Sequence, residues 1–196
     1  MKSEIQQVIR NSNKFLFKKN IPDKISFYFH EIEDIEYNAI KNLILFFKNL
    51  DYEFSTIDNF NSKLKSDKKL VSLTFDDGFK SWLRLIDLFD KYDIKSTFFI
   101  NSIFFQEDDL SKFMKNINIS DEKKLLDLSQ FKEIINSGHE IGSHTHSHFT
   151  LSNLSYEDFT KEDIKNYNFL NQYYNVRSFA IPYGMRRYVT KQQLKY

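Results

Sequence analysis

Apolar residues along this chain fall into two alternating patterns. Short runs rich in aromatic and β-branched residues occur at Ile25–Phe29, Leu70–Phe75, Ser96–Asn101, His139–Gly142 and Ser178–Ile181, with the length and composition of strands. Between them the spacing changes to that of a helix. Ile40, Leu43, Ile44 and Phe47 stand at i, i+3, i+4 and i+7, and so do Trp82, Leu85, Ile86 and Phe89. Leu110, Phe113, Met114 and Ile117 repeat the spacing, so each helix carries one apolar stripe. Ser129 is predicted to N-cap a helix through Phe131, Ile134 and Ile135, closed by Gly138 at a left-handed C′ position. Ser155 with Asp158 reads as a capping box, and Thr190 is predicted to open a last helix, TKQQLKY.

Strand and helix alternate, which predicts an α/β fold: a mostly parallel sheet or barrel with helices packed outside. A chain of 196 residues is the size of one domain, expected over residues 25–196 after a polar N-terminal segment, 1–24. The charged stretch Lys63–Lys69 (KLKSDKK) reads as a solvated turn. The five strand candidates fall short of the roughly eight that close a (β/α) barrel. The C-terminal part of the fold is therefore expected to be missing.

Composition narrows the function classes. Hydrophobic residues make up 41% and charged residues 28%, an ordinary globular balance. With 28 basic and 27 acidic side chains, nothing in the charge points to nucleic acid or an anionic membrane. There is no cysteine, which excludes disulfides, thiolate metal ligands and a cysteine nucleophile. The opening MKSEIQQVIRNSNKFLFKKN lacks the apolar stretch of a secretory signal, and no segment has the length of a membrane span. A cytoplasmic location is the expectation.

Candidate chemistry sits in three segments. Leu73-Thr74-Phe75-Asp76-Asp77-Gly78 delivers two adjacent carboxylates at the end of a strand, where α/β active sites lie. One can bind a metal while the other takes a proton, although Asp-Asp-Gly is also an ordinary strand-ending turn. Gly142-Ser143-His144-Thr145-His146-Ser147-His148 holds three of the chain's five histidines. On a helical turn His144 and His148 would share a face, whereas on a strand His144 and His146 would, as in the HxH site of amidohydrolases. Two imidazoles and a carboxylate leave a coordination position open to water, the arrangement of a catalytic metal. Phe179-Ala180-Ile181-Pro182-Tyr183-Gly184 is the third segment, whose backbone N–H groups could reach the same mouth.

Together these segments resemble the polysaccharide-deacetylase family, also called the NodB homology domain or carbohydrate esterase family 4. TFDDG at Thr74–Gly78, HTHSH at His144–His148 and FAIPYG resemble its first three motifs in order, and FYFHEI around His30 resembles its first strand. The resemblance spans roughly Ile25 to Tyr196. It implies a distorted (β/α) barrel of the NodB type that hydrolyses the acetamide of an amino sugar in a polysaccharide or glycan precursor. By motif position it implies Asp76 as catalytic base, and Asp77, His144 and His148 as ligands of one divalent metal. That metal would be zinc, with cobalt, nickel or iron as alternatives. The backbone N–H of Tyr183 would hold the oxyanion, with Pro182 and His146 lining the site. Ala180 stands where many members have arginine, a feature of branches resembling exopolysaccharide deacetylases. The family's later motifs, with the histidine that acts as general acid, are expected beyond Tyr196, which makes His30 the alternative acid. An amidase or deformylase of the same fold, or a metal-binding domain without turnover, are the rival readings.

Overall fold

The computed structural model describes residues 21–63 and 67–195. Residues 1–20 of the N-terminal segment and 64–66 of the charged loop lie outside the described residues. The elements are β1 (Lys24–Phe29), α1 (Asp34–Lys48), β2 (Glu53–Phe54), α2 (Ile57–Ser62), β3 (Leu70–Asp76), α3 (Ile86–Lys91), β4 (Thr97–Ile100), α4 (Ser111–Asn116), α5 (Leu128–Asn136), β5 (Glu140–Ser143) and α6 (Tyr156–Leu170). All strand pairings are parallel, in the order β1-β3-β4-β5. The short β2 pairs with Leu70 and Val71, and β4 with Thr74 to Asp76. Among the described residues the sheet is open.

Period-2 alternation gives the sheet two faces. Register places Phe27 and Phe29 beside Leu73 and Phe75, which continue into Phe98 and then Ile141. The Phe29 and Phe98 rings stack on either side of Phe75, at 5.5 and 4.9 Å. Ile40, Ile44 and Phe47 of α1, Phe89 of α3, and Phe131 and Ile134 of α5 complete this core. Each such side chain contributes about 1.5–3 kcal/mol when fully buried, which is why the stripes are strong enough to read.

The opposite face is polar. Ser72, Thr74, Thr97 and Glu140 point to it and are all buried. Helix α2 begins against this face, its first N–H groups donating to Thr97 Oγ1 (2.8 Å) and Glu140 Oε2 (3.1 Å). The Glu140 carboxylate also accepts from Thr97 Oγ1 and Ser178 Oγ, so the buried charge is satisfied on both oxygens.

Several predicted elements need correction. The Trp82 stripe begins as a 3-10 turn, Lys80–Leu85, before passing into α3, yet Trp82, Leu85, Ile86 and Phe89 are all buried. Asp127, not Ser129, caps α5, in a reciprocal capping box with Gln130. Ser129 instead donates to Asp127 Oδ1 at 2.6 Å. Ser178–Ile181 forms no strand, only a parallel bridge from Phe179 to Ser143. Pro182 has no N–H to extend the ladder, and Tyr183 and Gly184 turn away at φ 64° and 61°. Thr190 and Gln193 cap each other, but only a 3-10 turn, Gln193–Lys195, follows. The predicted Gly138 closure (φ 77°) and Ser155 cap are present.

Candidate metal centre

In a parallel sheet the C-terminal strand ends gather at one edge, where α/β sites form. β3 brings Asp76 there as its last residue, and Asp77 follows it. Asp77 and Gly78 take φ of 85° and 83°, reversing the chain at once. Position 78 needs glycine twice over. Its φ disfavours any side chain, and a Cβ would meet the Phe104 ring at 2.2 Å.

β5 ends at Ser143, and the residues after it do not make the helical turn that would align His144 with His148. Thr145 and His148 instead adopt left-handed φ of 63° and 54°. For β-branched Thr145 this is a strained state, of order 1–3 kcal/mol. The bend still brings the two rings to 4.9 Å. Asp77 Oδ1 lies 3.5 Å from His144 Nε2 and 3.2 Å from His148 Nε2. All three residues are buried, with one ligand atom from each within 4.8 Å of the others.

The donor chemistry fits a divalent cation. His144 Nδ1 is 2.9 Å from the Ala180 carbonyl, which can only accept, so Nδ1 carries a proton and Nε2 is the ring nitrogen turned to Asp77. Asp77 Oδ1 and His148 Nδ1 are buried without a hydrogen-bond partner. With Nε2 of both His144 and His148 turned to the Asp77 carboxylate, two imidazoles and one carboxylate converge as a donor set for a cation. The spacing suits zinc too, because bonds of about 2.0–2.2 Å in a tetrahedron separate ligand atoms by about 3.4 Å.

Electrostatics distinguishes the two carboxylates. Burial pushes Asp77 up, but His144 and His148 outweigh it and hold its pKa below the usual range. Asp76 moves the other way. Burial raises it first, the Asp77 charge adds to this, and His144 and His30 only partly oppose them. Its Oδ1 is buried without a hydrogen-bond partner, unlike a paired structural carboxylate. His144 is pulled down by burial but raised overall by Asp77 and Asp76. Burial, then the neighbouring His144, push His148 down to about 4.

The other sequence candidates are placed as follows. His146 is buried but directed away from Asp77, with Nδ1 2.8 Å from Ser102 Oγ and Nε2 3.7 Å from Glu107 Oε1. Serine, histidine and glutamate in that order have the connectivity of a nucleophilic triad, but Ser102 is fully buried and cannot meet a substrate. His30, just past β1 and half exposed, has Nε2 3.8 Å from Asp77 Oδ2. The Tyr183 ring stands edge-on to His148 at 4.7 Å, and its N–H makes no backbone hydrogen bond among the described residues. Pro182 beside it is buried.

Sequence reasoning missed the supports. Asn101, fully buried at the end of β4, donates to the carbonyls of His144 (2.6 Å) and Thr145 (2.9 Å), holding the left-handed turn. Glu162, Asp163 and Asn166 of α6 grip the strand ends and the histidine loop. An asparagine ending an apolar strand, and a run of polar residues on a half-buried helix, were the available signals.

Comparisons with known proteins place the chain in a family. The family model for polysaccharide deacetylase matches residues 63–196. A peptidoglycan-N-acetylglucosamine deacetylase of Bacillus cereus is 29% identical over 133 residues, covering 66% of this chain and 40% of the relative. A chitin deacetylase of Arthroderma benhamiae is 36% identical over 86 residues, 43% of this chain and 19% of the relative. The chain therefore spans less than half the length of either. Among solved structures, IcaB from Ammonifex degensii superposes with a TM-score of 0.69 at 20% identity, covering 88% of this chain and 77% of that one. The Streptococcus pyogenes deacetylase PplD gives 0.63 at 22%, with the same coverage. These two show the shared fold, and no described helix is long and apolar enough to cross a membrane. By the family match over most of its length, the chain belongs to the polysaccharide deacetylase family.

Proposed function

We propose that residues 25–196 form a metal-dependent deacetylase domain that removes the N-acetyl group from an amino sugar of a polysaccharide or glycan precursor. The observation that carries this reading is the buried Asp77–His144–His148 cluster beside an unpartnered, raised-pKa Asp76. Two imidazoles and a carboxylate suit zinc first, then cobalt, nickel or iron. Such an ion supplies Lewis-acid polarisation of water and of the acetyl carbonyl.

The chain's own groups do the rest. Asp76 accepts the proton of the attacking water, and its raised pKa makes it a stronger base than an ordinary aspartate. The backbone N–H of Tyr183, whose ring stands beside His148, donates to the oxyanion as the carbonyl becomes tetrahedral. His144 is locked by the Ala180 carbonyl, which fixes its tautomer and ring direction. His30, 3.8 Å from Asp77 and open to solvent, is the described residue best placed to give a proton to the leaving amine. To test the reading, zinc-loaded protein is incubated with N-acetylated amino sugars of increasing chain length and acetate release is followed. Release that chelation abolishes and zinc restores is expected. Formate or ammonia in place of acetate would overturn the substrate assignment.

A further inference from the structure

Helix α6 follows the histidine loop in sequence and turns three polar side chains back onto that loop and the strand ends beside it. Glu162 accepts from the Ser147 N–H at 2.8 Å and from the Ser147 hydroxyl at 3.2 Å. Ser147 is the residue between His146 and His148, so this carboxylate grips the loop next to a ligand. Asp163 accepts from Ser143 Oγ at 2.8 Å, at the last residue of β5. Asn166, fully buried, donates to the Ile100 carbonyl (2.9 Å) and to Ser143 Oγ (2.8 Å), and accepts from the Ser102 N–H (2.7 Å). It thereby ties the end of β4 to the end of β5. Positions 162, 163 and 166 share one side of a helix, and all three hydrogen-bond at the metal-centre edge of the sheet.

What they restrain is a segment that has reason to relax. Thr145 and His148 sit at left-handed φ, a conformation that persists only when its surroundings over-determine it. Asn101 holds the turn at residues 144–145 from β4, whereas Ser147 is held at its N–H and hydroxyl by Glu162 of α6 and at its carbonyl by a longer bond, 3.3 Å, from Asn116 of α4. We propose that Glu162 is a positioning residue that sets metal affinity, with Asp163 and Asn166 anchoring the strand ends behind it. Glu162 is paired with Ser147 and not with Asp77, His144 or His148, and it acts by keeping His148 turned toward Asp77 before a cation arrives. The inference rests on the metal-site reading above.

Asn166 is so buried that its removal threatens the fold, so Glu162 is the position to test. Glu162→Gln keeps an acceptor for the Ser147 N–H, and Glu162→Ala removes both contacts. Zn²⁺ alone and Co²⁺ alone are titrated into metal-free wild type, both variants and Glu157→Ala. Glu157 is an exposed control on the same helix, paired with Lys161. Apo-protein melting and circular dichroism are recorded in parallel. Glu162→Ala is expected to weaken Zn²⁺ binding about 10–100-fold, the usual effect of losing a support for metal ligands. It should also shift the visible Co²⁺ bands while apo melting stays close to wild type. Glu162→Gln should recover most of the affinity, and Glu157→Ala should match wild type. Wild-type-like Zn²⁺ affinity in Glu162→Ala overturns the proposal, as does a loss that tracks unfolding and that glutamine does not rescue. Absence of Zn²⁺ and Co²⁺ binding to wild type would instead overturn the metal-site reading, and this inference with it.

Discussion

The adjacent carboxylates present the sharpest division of labour between single residues. Asp77 is drawn into the histidine cluster, while Asp76 keeps a buried oxygen without a partner. Asp76→Asn preserves size and removes only the proton acceptor, so it is expected to bind Zn²⁺ nearly normally and lose turnover by about 100-fold or more. Parallel loss of metal and activity in titration and acetate assays would mean that Asp76 is itself a ligand. A second prediction concerns His139, buried between Phe89 and Phe98. Its Nδ1 accepts from the Ser96 N–H, and burial, helped by the Lys95 charge, lowers its pKa from 6.5 to about 4. Between those values the unfolded chain binds a proton that the native chain refuses, so stability falls as pH falls. His139 alone should remove about 2 kcal/mol by pH 5. His146 and His148 titrate in the same window in metal-free protein. The informative quantity in urea unfolding is therefore the shallower pH slope of His139→Asn relative to wild type. Identical slopes would show that His139 is not held neutral. At this scale the sequence exposed Asp76, Asp77, His144 and His148, because their spacing follows recognisable motifs. It could not expose Glu162 or Asn166, whose role depends on which way a helix face turns.

Among the elements, the α5 cap shows how local chemistry chooses between neighbouring candidates. The sequence reading put the cap at Ser129, although Asp127, two residues earlier, is an equally good N-cap by residue type. The carboxylate wins because Asp127 Oδ1 accepts from the Gln130 N–H at 2.9 Å, while Gln130 Oε1 accepts from the Asp127 N–H at 3.0 Å. Two otherwise orphaned donors are satisfied together. Asp127→Ala is expected to cost about 1 kcal/mol, and Ser129→Ala only a few tenths, since it removes one exposed hydroxyl. Thermal melts of the two variants check the order, and a larger loss from Ser129→Ala would restore the original cap assignment. The elements that were legible, β1, β3, α1 and α5, present apolar stripes to one core. The unread β2 is two residues long, too short for any alternation to show. The histidine loop defeated a periodic reading for a different reason, since left-handed residues at 145 and 148 follow neither helix nor strand spacing.

For the whole molecule, the sheet separates stability from chemistry. Its apolar face is stacked rings and aliphatic side chains under α1, α3 and α5, whereas its C-terminal edge collects buried charge and backbone strain. Such an edge is stabilised by whatever neutralises it. A cation that binds the native cluster and not the unfolded chain adds RT ln(1 + [L]/Kd), about 2.7 kcal/mol at 100 times Kd. In a domain of this size each kcal/mol moves the melting temperature by about 2–4 °C. Zinc at that excess should therefore raise it by about 5–10 °C, and a chelator should return it to the metal-free value. Asp77→Asn keeps the fold but loses the anionic oxygen that His144 and His148 face, so its melting temperature should not respond to zinc. His146→Ala, whose ring lies on Ser102 and Glu107, should still respond. Scanning calorimetry with and without zinc decides the matter, because a metal that organises this edge must stabilise the chain that carries it. Equal melting of loaded and stripped wild type would remove the cluster from consideration as a metal centre.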